Sequence, residues 1–444
     1  MRGDEVLLKV EKVVNGGYGL GKVEGKVILV EGAYPGEEVI ARITRDKKDF
    51  AFARAIRVVK GIPQRVAPKC RYFGKCGGCQ FMDVSYETQL ILKREMVRDS
   101  LQRTIGEVEV EDTEPSDLTL GYRTKIELTA VSEGGEVRLG MKMRYSHRVV
   151  PTDRCEIAPE KANRVLRALP RILTALEVPV YDFSRKRGVL KHVVIRHAFS
   201  TEQTMVIFVT KTESFRWGGE ISRLLLRELP WITSVVHVMN SKDSVVLRGP
   251  YRTLRGEGVI TEEFDWETFQ IPPTAFFQSN YYVASKLMNA VFEELDLSGR
   301  ETVLDLYSGV GLFSLRVSSA ARRVIGVESS RVAVRAAKAN ANINDRRNVE
   351  FVEADVEEFM RSFEGKVDAV VLDPPRGGAG KSVISDIVRL KLPKVIYVSC
   401  EPSTLARDLK VLIQGGYEIK KIKPFDMFPQ TFHVETMVVL ERRG

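Results

Sequence analysis

The sequence predicts three folded regions: a small N-terminal β-barrel over residues 1–60, a central mixed α/β region over 61–265 with a cysteine-bearing loop, and a C-terminal doubly wound α/β domain over 266–444. Three observations predict it. Residues 1–60 run in short stretches of apolar–polar alternation separated by glycine turns. Residues 122–261 mix β-branched runs with helical ones. From Glu301 strand and helix patterns alternate regularly, as in a parallel sheet covered by helices on both faces. At 444 residues and 44% hydrophobic content the chain is long enough for two to four domains with real cores.

In the N-terminal region the expected strands are Val6–Val10, Lys26–Val30, Val39–Ile43 and Ala53–Val58. Gly16-Gly17-Tyr18-Gly19 and Tyr34-Pro35-Gly36 read as turns between them. Its later half carries Arg42, Arg45, Lys47, Lys48, Arg54, Arg57 and Lys60, with Phe50 and Phe52 among them. Cations interleaved with aromatic rings suit a nucleic-acid surface. The alternative is a charged edge that keeps strands of different molecules apart. A net charge of +9 favours a polyanionic partner, although a basic enzyme can carry it for no partner.

No run of about 18 uncharged apolar residues occurs, so no membrane span is expected. Met1–Glu5 has no apolar signal region, and the protein reads as cytoplasmic. Monomer is the default. Cys70, Cys76 and Cys79 cluster in one glycine-containing loop, and Cys155 follows at a distance. Five cysteines in a long cytoplasmic chain do not suggest disulfides. Three close thiols and one remote thiol form a four-ligand set, and soft thiolates select zinc or an iron–sulfur cluster. Spacing does not decide between the two. Ser85–Arg103 reads as a helix, residues 107–117 as an acidic loop, and residues 122–261 as mixed α/β. His147, His192, His197 and His237 show no ligand spacing and read as structural.

Pro272–Asn280 is a loop in which Gln278 follows two aromatics before a helix. An amide offers a donor and an acceptor together, suited to a base edge or a cofactor; the bland reading is a helix cap by Ser279. The strand Thr302–Leu306 leads into Tyr307-Ser308-Gly309-Val310-Gly311. Gly309 and Gly311 let the backbone approach a ligand. Ser314 stands where a dinucleotide fingerprint has its third glycine, which argues against a nicotinamide enzyme. Glu328 ends the second strand, where an acid accepts hydrogen bonds from ribose hydroxyls. Asp355 ends the third, free to meet an adenine. The fourth runs into Asp373-Pro374-Pro375-Arg376, whose prolines delay the next helix and hold Asp373 forward. The fifth, Lys394–Val398, stops just before Cys400, and a helix follows over Ser403–Gln414. Ligands of such sheets bind outside the carboxyl ends of the strands. Cys400 is thus a candidate nucleophile, or else an inert core thiol. The last strand runs over Phe432–Leu440, with Glu435 near its start.

Together these residues resemble the RNA 5-methyluridine methyltransferases, which belong to the class I S-adenosylmethionine-dependent superfamily. The resemblance spans nearly the whole chain. Leu29–Glu37 looks like part of a TRAM domain, an RNA-binding module. Phe277-Gln278-Ser279-Asn280, Asp373-Pro374-Pro375-Arg376, Ser399-Cys400-Glu401-Pro402 with Leu405-Ala406-Arg407-Asp408, and Phe428–Glu435 match the family's motifs in order. Gly377 and Glu401 depart slightly, the latter standing where asparagine is common. The resemblance implies a Rossmann-like C-terminal domain that binds S-adenosylmethionine, and a [4Fe–4S] cluster on Cys70, Cys76, Cys79 and Cys155. It implies Cys400 as nucleophile towards uracil, Glu435 as base, and Gln278, Tyr307, Glu328 and Asp373 around the cofactor. The partner is then RNA, with 23S rRNA expected ahead of the T-loop of tRNA. No obligate protein partner is expected. An inert RNA-binding or chaperone protein is the alternative of another class, and the intact Cys400 and Glu435 argue against it.

Overall fold

The computed structural model describes residues 3–242 and 246–443. They fall into two compact units. One is drawn from the stretch ending at Gly74, from Cys79–Ser116 and from Asp373 onward; the other comprises Lys75–Gly78 and Asp117–Leu372.

In the first unit, six strands form one sheet: Glu5–Lys9, Lys12–Val14, Tyr18–Val23, Lys26–Glu31, Glu38–Asp46 and Phe50–Lys60. The first pairs with the fifth, the fifth with the sixth, the sixth with the fourth, the fourth with the third and the third with the second. Only the fourth–sixth pairing is parallel. Alternation sends Leu8, Ile28, Val30, Val39, Ala41 and Ile43 into a common core. The expected turn at Gly16–Gly19 is shorter than its glycines suggest. Residues 15–17 turn, and Tyr18-Gly19 already belong to a strand. The glycines of that strand serve close packing instead: a Cβ on Gly21 would lie 2.2 Å from the Lys9 carbonyl oxygen. On the basic strands, Arg42 pairs with Glu5 at 2.8 Å and Arg54 with Glu31 at 3.3 Å. Arg45 lies over the Phe52 ring, and Arg57, Lys47, Lys48 and Lys60 are exposed.

The helix Tyr86–Ile105 starts at Ser85, whose hydroxyl accepts from the Thr88 N–H at 3.3 Å. Its Lys93 is fully buried against Asp426 and also donates to the Phe428 carbonyl at 3.0 Å. Two charges taken out of water are tolerated only because each neutralises the other. One turn earlier, Gln89 grips Gln430: its Oε1 accepts from the Gln430 N–H at 2.9 Å, and its Nε2 donates to Gln430 Oε1 at 3.1 Å. The backbone N–H groups of Gln80 and Phe81 both donate to the Gln430 carbonyl. These bonds fix the segment that leads into the last strand. That strand, Glu435–Arg442, lies between Lys394–Ser399 and Tyr417–Phe425 and is antiparallel to both.

In the second unit, strands 251–255, 234–239, 204–210, 190–197, 125–133, 136–142 and 149–151 form a sheet in that order. The helices Glu160–Ala175 and Gly218–Glu228 supply Leu166, Leu169, Leu173, Ile221 and Leu225 to the core on one face of it. His192, His197 and His237 are buried, each bonded to a threonine hydroxyl. Burial lowers His197 and His237 to about 4, so both are neutral. The same unit holds four parallel strands ordered Val349–Glu353, Arg323–Glu328, Thr302–Leu306, Ala369–Leu372. They alternate with helices, as the strand–helix pattern predicts. Among the described residues no helix is long and apolar enough to cross a membrane.

Candidate active site

Strand pairing builds the reactive group. Lys394–Ser399 runs antiparallel to Glu435–Arg442 with Ser399 opposite Thr436. One residue outward from that pair, Cys400 leaves one strand just where Glu435 begins the other. Asp373 follows the strand Ala369–Leu372, and the next helix does not start until Lys381. The intervening loop is clamped. The Asp408 carboxylate, 1% exposed, accepts from the Ala379 N–H at 3.0 Å and from the Tyr397 hydroxyl at 2.8 Å. Arg407 donates to the Gly377 carbonyl at 2.9 Å, and Thr404 to the Arg376 carbonyl at 3.2 Å. Thr404, Arg407 and Asp408 therefore tie down the loop from Arg376 to Ala379.

The electrostatics of this group are one-sided. Burial pushes the Cys400 thiol up to about 12; Glu435 and Asp373 add to the push, Arg376 opposes it, and Glu401 adds a little more. Burial and Asp373 likewise push the Glu435 carboxyl well above the usual carboxylate range, against Arg376. Glu435 Oε2 has no hydrogen-bond partner among the described residues. One guanidinium, Arg376, opposes the acidic neighbours that push Cys400 and Glu435 towards their protonated forms. Glu401 is anchored from the N-terminal sheet, where Asn15 donates its amide to Glu401 Oε1; Ser403 donates to the same oxygen at 2.9 Å. Sequence reasoning gave Arg376 and Asn15 no role. Arg376 lay inside a quoted motif, whereas nothing local marks Asn15.

A second constellation lies at the carboxyl ends of the parallel strands. Tyr307 has φ +64°, a conformation an aromatic residue rarely keeps without cause, directly after the strand Thr302–Leu306. Gly309 and Gly311 also have positive φ, and a Cβ on Gly311 would lie 2.9 Å from Phe351. Glu328 accepts from the Gly309 N–H at 3.2 Å and from the Ser330 N–H at 2.6 Å. Asp355 is not simply free, because its Oδ1 caps the helix Val356–Ser362 by accepting from Glu357 N–H at 2.9 Å and Glu358 N–H at 3.3 Å. Ser314, in place of a third glycine, donates its hydroxyl to Asp305. Burial pushes Asp305 up to about 7. Asp305 Oδ1 and Ser308 Oγ are buried without partners among the described residues. Orphaned polar atoms beside a glycine cradle at strand ends fit a polar cofactor. Gln278 is buried in its loop, its carbonyl accepting from the Thr124 hydroxyl at 2.9 Å. The cap of the following helix is Asn280, not Ser279, with its side chain accepting from Val283 N–H.

The four cysteines are half-buried and in no disulfide. Burial raises the Cys155 thiol to about 11, with Arg123 opposing and Cys76 adding to the rise. The Gly78 N–H points at Cys76 Sγ, 3.4 Å away. The donor chemistry suits a soft metal. Even so, among the described residues no group of three or more His, Cys, Asp or Glu side chains is placed to hold one. The expected iron–sulfur loop is therefore not assembled in this structure.

The chain is similar to known RNA methyltransferases. Residues 263–443 match the tRNA (uracil-5-)-methyltransferase family, and residues 1–56 match the TRAM domain. The chain is 57% identical over 434 residues to an uncharacterized RNA methyltransferase of Thermotoga maritima, covering 98% of each chain. It is 35% identical over 445 residues to another from Listeria innocua, covering 99% of this chain and 98% of that one. Among solved structures it resembles the Pyrococcus abyssi tRNA (uracil-54, C5)-methyltransferase in complex with S-adenosyl-L-homocysteine. That match has 31% identity and a TM-score of 0.79, over 98% of this chain and 99% of the other.

The protonated state of the free site has a direct test. Alkylation of Cys400 by iodoacetamide, followed peptide by peptide by mass spectrometry, should be slow at pH 7 and rise about tenfold per pH unit up to pH 10. A rate that levels off below pH 8 would show a thiolate already formed.

Proposed function

This chain belongs to the RNA (uracil-5-)-methyltransferase family, an S-adenosylmethionine-dependent family, and from that premise we propose that it methylates carbon 5 of a uridine through a covalent bond to Cys400. The observation that carries the proposal is the juxtaposition of a thiol and a buried carboxyl at one end of an antiparallel strand pair. Carbon 5 of uracil is too weak a nucleophile to take a methyl group unaided. Addition of the Cys400 thiolate to carbon 6 pushes the ring electrons towards carbon 5 and the carbon 4 oxygen. S-adenosylmethionine supplies an electrophilic methyl group on a sulfonium centre. Once carbon 5 carries that methyl, its hydrogen leaves as a proton to the Glu435 carboxylate. The electrons left behind re-form the ring double bond, the carbon 6–sulfur bond breaks, and the thiolate is restored.

Both groups act in their ionised forms, and both are pushed towards protonation in the free protein. Arg376 supplies the opposing charge. Asp373 and Gln278 position the reactants, and Tyr307, Gly309, Gly311, Glu328 and Asp355 hold the cofactor. Burial of the Cys400–Glu435 group requires the uridine to leave its stack, so a loop or single-stranded segment is the substrate form. The work is cytoplasmic, and the protein acts without an obligate partner.

The target is a uridine of 23S rRNA, in keeping with a chain that couples a TRAM domain to the catalytic domain. A second reading, a tRNA T-loop uridine, is favoured by the likeness to the Pyrococcus abyssi tRNA enzyme. We assign Cys70, Cys76, Cys79 and Cys155 to a [4Fe–4S] cluster that braces its loop. Four soft thiols, with Cys400 the one left over, support this reading.

Transcripts of 23S rRNA and of tRNA containing 5-fluorouridine, each incubated with the protein and S-adenosylmethionine, separate the two targets. Fluorine does not leave as a proton does, so the true substrate should stay bound through denaturing electrophoresis. The adduct should vanish in Cys400→Ala, and an adduct surviving that change refutes the nucleophile assignment. Protein purified without oxygen should be brown and carry iron and sulfide in equal amounts. Zinc alone, or no metal, would remove the cluster from the account.

A further inference from the structure

The central sheet carries a group of charges whose balance does not close. Strand Leu190–His197 pairs antiparallel with strand Lys125–Glu133, and the register sets Arg196 directly opposite Lys125. Like charges opposite each other on neighbouring strands repel. Arg123 precedes Lys125 by two residues, and its Nε donates to the Lys125 carbonyl at 3.0 Å. Against these three cations stands one carboxylate, Glu127, paired to Lys125 Nζ at 2.8 Å. Arg196 is 4% exposed; one of its nitrogens donates to the Ala275 carbonyl, and its Nε is buried with no partner among the described residues. Ala275 lies three residues before Gln278, and the Thr124 hydroxyl bonds the Gln278 carbonyl from the same strand region.

The charges register the imbalance. Burial and then Arg196 lower Lys125, with Arg123 contributing, and burial lowers Arg196 to about 10. The three cations outweigh burial at Glu127 and hold its carboxyl low. Arg123 also faces the Cys155 thiol, Lys125 faces Arg196, Glu127 and Arg123, and Arg196 faces Glu127. A buried surplus of positive charge with an unpartnered guanidinium N–H is satisfied by an anion. The Lys125 side chain is 22% exposed and that of Glu127 38%, so the group opens to solvent.

We propose that Arg196, Lys125 and Arg123 form a phosphate-binding site that takes a backbone phosphodiester of the RNA beside the Gln278 loop. The assignment rests on RNA being the substrate. Arg196 is the fixed donor, held by the Ala275 carbonyl, and Lys125 is the movable one. In the free protein Glu127 occupies the place of the phosphate, and RNA displaces it from Lys125.

The test uses oligo(U) RNA and S-adenosylhomocysteine as separate probes of the full chain. Oligo(U) affinity is measured across a salt series for wild type, Lys125→Gln and Glu127→Gln. Lys125→Gln should weaken oligo(U) binding and flatten the slope of log affinity against log salt by about 0.7, the loss of one phosphate contact to a single strand. Glu127→Gln should tighten binding, because it removes the competing carboxylate. Both variants lie on partly exposed side chains, and their melting curves report whether they fold. S-adenosylhomocysteine affinity should be unchanged in both. An unaltered slope in Lys125→Gln, or weaker binding in Glu127→Gln, overturns the site. Loss of S-adenosylhomocysteine affinity instead assigns the cations to the cofactor carboxylate and also overturns it. Failure of wild type to bind oligo(U) at any salt would count against RNA as the substrate, a separate result.

Discussion

The proposed methyl transfer depends on one antiparallel pairing, Lys394–Ser399 against Glu435–Arg442. It places a thiol and a carboxyl at the same edge, where burial suppresses the charge of both. Neither group is reactive by default. A thiol held near 12 and a carboxyl held above its usual range are poor tools in water-like surroundings. Arg376 is the counterweight that opposes both upward shifts.

The rest of the first unit serves to keep that edge in place. The Lys93–Asp426 pair and the Gln89–Gln430 clasp fix the chain just before Glu435. Asp408 and Arg407 fix the loop that carries Asp373 and Arg376. Asn15, from the N-terminal sheet, anchors Glu401 beside the thiol. That sheet therefore does more than offer a basic surface, because one of its turns belongs to the wall of the reactive group. Helix, sheet turn and loop come from remote parts of the chain, and each adds polar bonds that only a folded protein can make.

Much of this was legible in the sequence, for identifiable reasons. Strand and helix alternation after Glu301 gave the parallel strands, because buried parallel strands read as unbroken apolar runs. Cys400, Glu435 and Asp373 stood at strand ends, which local pattern marks well. Three things escaped it. Strand Tyr18–Val23 hid behind glycines needed for close packing at Gly21. Asp355 looked like a free acid because helix capping depends on the next turn of chain. The Arg196–Lys125 opposition depends on strand register, which single-sequence alternation leaves open.

The central claim is that Cys400 opens the ring and Glu435 closes the cycle. The most direct measurement is intact and peptide mass spectrometry of Glu435→Gln incubated with S-adenosylmethionine and unmodified substrate RNA. Glutamine keeps the shape of the side chain but accepts no proton from carbon 5. The account predicts that the Cys400 peptide accumulates a covalently attached, already methylated uridine. Free 5-methyluridine formed at the wild-type rate, with Cys400 unmodified, would contradict it.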